Sequence, residues 1–226
     1  QKSIVSSEVE DFKVAIVKYA QDVQQQRASK QSEPNIVAGA LMPFLQANPL
    51  AYNCRPHSQQ GQSGIDLAIL SGTDVAVIIE AKAVGSKDMI TIHDLNRKAF
   101  HEAIFYFMQE RERGNDKLTH IVITDFYDWF VFDAKDFDHL FWRNDQLKKS
   151  FHAYHNPNLL TKSTADVYAA IAAHLSKMQT TDTEVIINCA QFNVSTPNNI
   201  KDKELTAIYK LLSPNHLLKA FNPNDA

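Results

Sequence analysis

Val5, Val9, Phe12, Ile16, Tyr19 and Val23 recur at intervals of four and three residues, the spacing that lines one face of an α-helix. They predict a long amphipathic helix that ends in the polar run Gln24-Gln25-Gln26-Arg27. A second helix is expected over 34–46. Ser32 is a suitable N-cap, Pro34 suits a first turn, and Ile36, Val37, Ala40, Leu41, Phe44 and Leu45 share a face. Pro43 falls inside it and is expected to shorten or kink it. After Pro56 the period changes. A polar turn-forming stretch at 58–64 precedes two apolar runs, 65–70 and 75–82, joined by Ser71-Gly72-Thr73-Asp74, which together predict a β-hairpin. From 92 to 113 the helical period returns, with Ile92, Leu95, Ala99, Ala103 and Phe107 in line and Gly114-Asn115 as the stop. Strands at His120–Thr124 and 129–132 follow. Beyond them the pattern weakens to helices near 164–178 and 203–212 and a strand near 184–189.

This order predicts an α/β or α+β protein: a mixed β-sheet flanked by helices, with an N-terminal helical segment. The 226 residues suit one large domain or a domain plus an appendage. Residues 1–50 read as helices packing on the core, 51–160 as the core, and 161–226 as a mixed extension. The apolar runs at 75–79 and 103–108 are far short of the ~20 residues that span a bilayer, so no membrane partner is expected. Residues 1–4 show no secretory pattern, and the absence of an initiator Met suggests a piece of a longer polypeptide. Cys54 and Cys189 stand alone, without disulfide or metal-ligand spacing, and a reducing cytoplasm is the expected compartment. The formal net charge is −3. A domain that held nucleic acid by bulk electrostatics would be basic.

The candidate chemistry lies in the hairpin. Asp66 opens its first strand, and Glu80-Ala81-Lys82 closes the second. Alternation along a strand sends Glu80 and Lys82 to one face and Ala81 to the other. Pairing the strands brings the 66 and 80 ends together. Mg²⁺, with Mn²⁺ as the alternative, takes one or two protein carboxylates together with water and phosphate oxygens. Asp66, Glu80 and the Ala81 backbone carbonyl could supply the protein's share. Lys82 would orient or help deprotonate an attacking water and stabilise charge developing on phosphate. By itself this is also an ordinary strand end carrying a solvated charge pair, because a Glu-x-Lys tripeptide is a short motif. His152 and His155 lack further ligands and read as a surface pair. The aromatic residues Phe126, Tyr127, Trp129, Phe130 and Phe132 read as core.

Longer segments are more specific. Residues 63–69 (SGIDLAI), 77–82 (VIIEAK), 95–102 (LNRKAFHE), 121–134 (IVITDFYDWFVFDA) and 211–219 (LLSPNHLLK), taken in order, resemble the amino-terminal nuclease region of single-chain type IIG restriction-modification enzymes. In that family a PD-(D/E)xK nuclease precedes a DNA adenine methyltransferase and a target-recognition region. The resemblance covers about 30–220 and implies a restriction-endonuclease-like core. Asp66 and Glu80 match its metal-binding carboxylates and Lys82 its catalytic lysine, with Ile65 standing where the motif's proline would be. Glu33 resembles an additional acidic residue near the metal; it also suits a helix first turn. Glu102 and Tyr106 resemble a Gln-x-x-x-Tyr element, with Glu in place of Gln.

The implied activity is Mg²⁺-dependent hydrolysis of DNA phosphodiester bonds. The implied partners are double-stranded DNA, held weakly by this domain alone, and the methyltransferase and target-recognition domains of the same polypeptide. Two alternatives stay open: an inactive nuclease fold that docks or positions DNA, and a stand-alone repair-type nuclease.

Overall fold

The computed structural model describes residues 6–56, 64–155, 163–180 and 187–219. The first helix, α1 (Ser6–Ala28), buries Phe12, Ile16, Tyr19 and Val23, the face that the spacing predicts. The second predicted helix is helical throughout but interrupted, as α2 (Glu33–Ile36), a π-turn (Val37–Leu41) and α3 (Met42–Gln46). Pro43 has no N–H to return to the carbonyl four residues back. The backbone accommodates it by widening, and the Met42 amide reaches the Val37 carbonyl instead.

Among the described residues six strands form one sheet in the order β1 (Cys54–Pro56), β2 (Leu67–Ser71), β3 (Asp74–Ala81), β4 (His120–Thr124), β5 (Asp128–Asp133) and β6 (Cys189–Asn193). All neighbours are antiparallel except β3 and β4. The β2–β3 hairpin turns at Gly72, whose φ of +63° is readily adopted only without a Cβ. A parallel β3–β4 pair needs a crossover, which α4 (Lys98–Glu112) supplies.

The helix expected from 92 begins only at Lys98. Asp94 accepts the Asn96 amide at 3.1 Å and the Arg97 side chain at 2.7 Å. The Asn96 amide group donates to the Ala172 carbonyl at 3.1 Å and to Ser176 Oγ at 3.0 Å. These side-chain bonds compete with helical ones, and Ile92, in the predicted apolar line, is 49% exposed.

Helices cover both faces. α1, α2, α3, α8 (Asp202–Leu212) and α9 (Pro214–Leu217) pack with Leu67, Val77, Ile79, Val122 and Trp129. On the other face α4, α5 (Ala134–Phe137), α6 (Asp145–His155) and α7 (Thr164–Thr180) enclose Ala68, Ile78, Ile121, Ile123 and Phe132. The architecture is thus the mixed sheet flanked by helices that the sequence predicts. β1, α5, α6 and α9 have no counterpart among the elements that the periodicity predicts. The tail strand, expected near 184–189, runs over Cys189–Asn193, with 187–188 outside it; 181–186 and most of the turn stretch at 58–64 lie outside the described residues. Phe126, Trp129, Phe130 and Phe132 are buried, and Tyr127 is half-buried beneath Arg27. His152 faces Glu112 at 3.0 Å on the surface; the His155 side chain lies outside the described set. Both cysteines are free thiols. Among the described residues no helix is long and apolar enough to cross a membrane.

Candidate active site

β3 is buried along nearly its whole length. Ile78 points into the α4 layer and Val77, Ile79 and Ala81 into the α1 layer, so alternation carries Glu80 and Lys82 toward α4. The Lys82 amide donates to the Thr124 carbonyl at 2.9 Å, which continues the β3–β4 ladder past the last strand residue. In the hairpin Leu67 pairs with Ile79, so Asp66 reaches the level of Glu80. Its Oδ2 accepts the Ala81 amide at 2.8 Å. Ala81, fully buried, thus enters the site through its N–H.

Glu80, Lys82 and Glu102 are 2%, 9% and 8% exposed. Lys82 Nζ donates to Glu80 Oε1 in a short contact and lies 2.8 Å from Glu102 Oε2 in an ion pair. Lys98 Nζ sits 3.6 Å from the other Glu102 oxygen. Among the described residues Glu80 Oε2 is buried with no hydrogen-bond partner, and Glu102 Oε2, equally buried, has the Lys82 ion pair in place of one. The structure therefore gathers Asp66, Glu80, Lys82 and Glu102. Glu33, half-buried at the start of α2, lies close enough for its charge to act on Asp66. Tyr106, one turn beyond Glu102, packs edge-on against Phe105 in the α4-side core.

The electrostatics follow from the burial. Desolvation pushes Asp66 up to about 6, Glu33 and Glu102 add to the rise, and the Ala81 amide and Lys82 oppose it. Glu80 is raised by its burial first and then by Asp66 and Glu102, against the pull of Lys82. For Lys82 burial acts downward, but Glu80 and Glu102 outweigh it and hold the amine above the ordinary lysine range. In this arrangement Lys82 is an ammonium. It can orient and stabilise negative charge, and it has no lone pair with which to accept a proton.

Sequence reasoning missed Lys98 and the Thr124 carbonyl. Lys98 stands four residues before Glu102 on one helix, a spacing that places the two as neighbours; the Thr124 contact depends on the parallel pairing and has no local signal.

Among the described residues no three His, Cys, Asp or Glu side chains are gathered into a cation cage. Mg²⁺ needs only one or two protein carboxylates. Asp66 and Glu80 suit that share, since both are disfavoured as buried anions and Glu80 has an oxygen without a hydrogen-bond partner among the described residues.

Fold and site together define a mixed α/β protein with a carboxylate–lysine cluster at the carboxyl end of a central strand. The chain belongs to the family described as Domain of unknown function (DUF7149), matched over residues 1–225. No curated protein and no solved structure matches it.

Proposed function

We propose that this chain is a Mg²⁺-dependent endonuclease module of the PD-(D/E)xK kind, hydrolysing DNA phosphodiester bonds as the nuclease part of a type IIG restriction-modification enzyme. The observation that carries the reading is the convergence of Asp66, Glu80 and Lys82 at one strand end, with a buried Glu80 oxygen that has no hydrogen-bond partner among the described residues. A buried polar atom without a partner costs about 1–3 kcal/mol, more for a charged group, and a cation offsets that cost.

Asp66 and Glu80 would hold the ion. Bound there, Mg²⁺ supplies Lewis acidity toward a phosphoryl oxygen and lowers the pKa of water. The chain's own contribution is positional and electrostatic. The Ala81 amide fixes one Asp66 oxygen, leaving the carboxylate in a set orientation. The Lys82 ammonium lies beside Glu80 and can stabilise the charge that grows on the phosphate during attack. Lys82 is buried, which keeps bulk water from its stem and so strengthens these interactions.

The test is nicking of supercoiled plasmid at low salt, with Mg²⁺, Mn²⁺ or EDTA. The wild-type chain is expected to nick only with a divalent ion. Asp66→Asn and Lys82→Ala should each reduce the rate by about 10²-fold or more, with circular dichroism confirming that the variants fold. Calorimetric titration with Mn²⁺ should give binding that Asp66→Asn and Glu80→Gln weaken. Unaltered nicking in folded variants, or no Mn²⁺ binding by the wild type, would overturn the reading.

A further inference from the structure

We propose that Glu102 is a positioning residue that holds the Lys82 ammonium in place from the α4 side; the chemical consequence rests on the nuclease reading, and the contact itself does not. Lys82 lies one residue past the end of β3, at the end of a flexible four-carbon stem. With Glu80 as its sole anchor, a divalent ion drawn to that carboxylate would repel the ammonium and displace it. Glu102 supplies a second anchor on a different element. It is buried in the first turns of α4, 2.8 Å from Lys82 Nζ. Two anchors from a strand and a helix fix the ammonium through the packing of α4 on the sheet. One of them can be surrendered to a cation without releasing it.

Lys98 completes the arrangement. Its side chain, 53% exposed, lies 3.6 Å from the outer Glu102 oxygen. It compensates part of the negative charge that Glu102 adds to a region already holding Asp66 and Glu80, without competing for the oxygen that faces Lys82. A glutamine at 102 would keep the shape and offer an acceptor, but it would lose the charge that makes this contact an ion pair. This accounts for a carboxylate at a buried position where burial alone would favour a neutral residue.

The test reads the ammonium directly. In protein labelled with ¹³C,¹⁵N-lysine, the wild type should show a Lys82 Nζ resonance protected from solvent exchange, in EDTA and again with saturating Mg²⁺. In Glu102→Gln the Mg²⁺-bound resonance should exchange at least several-fold faster, and in Glu102→Ala it should vanish. Lys98→Ala should leave it visible. Glu102→Gln is isosteric and decides the matter if Glu102→Ala does not fold. In the nicking assay Glu102→Gln should lower kcat by about tenfold with KM for DNA unchanged, the mark of an interaction that matters in the transition state, and Mn²⁺ affinity should change by less than threefold. A Lys82 resonance equally protected in Glu102→Gln with Mg²⁺ would overturn the proposal even in an active nuclease. Loss of protection in that variant would support it even where no chain nicks DNA, the outcome that overturns the nuclease reading alone.

Discussion

His120 shows how burial at one residue becomes a property of the whole chain. Its ring lies 4.7 Å from that of His216, and its Nδ1 is 3.0 Å from the Leu217 carbonyl. Desolvation pulls both histidines below their usual range, and Asp133 opposes this in each case. An unfolded histidine takes a proton near pH 6.5, while the folded pair resists until the pH is lower. The unfolded state then binds more protons, so this contribution to stability is complete above about pH 6.5 and is lost as the pH falls below it. Asp66 and Asp125, raised by burial, act with the opposite sign in acid. The measure is therefore a difference. Between pH 7.5 and 5.5 the urea midpoint of wild type should fall further than that of His120→Gln; parallel declines would count against the histidine pair.

At the level of elements, the loop ahead of α4 is the clearest departure from periodicity. Ile92 and Leu95 continue the apolar line of the helix, yet Asp94 and Asn96 divert the backbone into local bonds and a tie to α7. Asn96→Ala removes that tie and should destabilise the protein by about 1–2 kcal/mol. Chemical denaturation would measure this, with faster hydrogen exchange at 91–97 than in wild type. Strand positions were readable because each apolar run is bounded by turn residues; alternation put Glu80 and Lys82 on one face, hairpin pairing brought Asp66 level with them, and the family resemblance suggested their roles. The start of α4 was not, because the partners of Asn96 lie on a helix far along the sequence. The Lys82–Glu102 ion pair was hidden for a similar reason. Both residues stood out separately, but only the crossover brings a strand end against the first turns of the following helix. α6 escaped notice because its aromatic face, including Phe151, is recognisable only against Phe105.

Across the whole molecule the net charge of −3 is unevenly spread. Residues 121–145 hold 6 acidic and 2 basic groups, whereas 80–120, where Glu80, Lys82, Lys98 and Glu102 lie, are balanced at 7 and 7. Phosphate neutralisation supplies most non-specific DNA affinity. A module with this balance should hold a 30-base-pair duplex no tighter than about 10⁻⁶ M at physiological salt. Fluorescence anisotropy would test this, and tighter binding with a steep salt dependence would show a basic surface that the totals conceal. On the proposed reading, weak holding makes cutting depend on other domains that choose the DNA.

The parallel pairing of β3 with β4 has a further consequence, for the order of assembly. Asp66, Glu80, Lys82 and Glu102 all fall within one contiguous stretch, a hairpin followed by its crossover helix. Bringing them together closes only short loops, and the entropic cost of closure rises with loop length. By contrast, α1 and α8, bridged by Lys13 and Asp202, meet across most of the sequence. Low contact order favours early formation. The charged cluster is thus expected to come together first, with the α1–α8 layer closing afterwards on the opposite face of a strand that already carries its carboxylates and its ammonium.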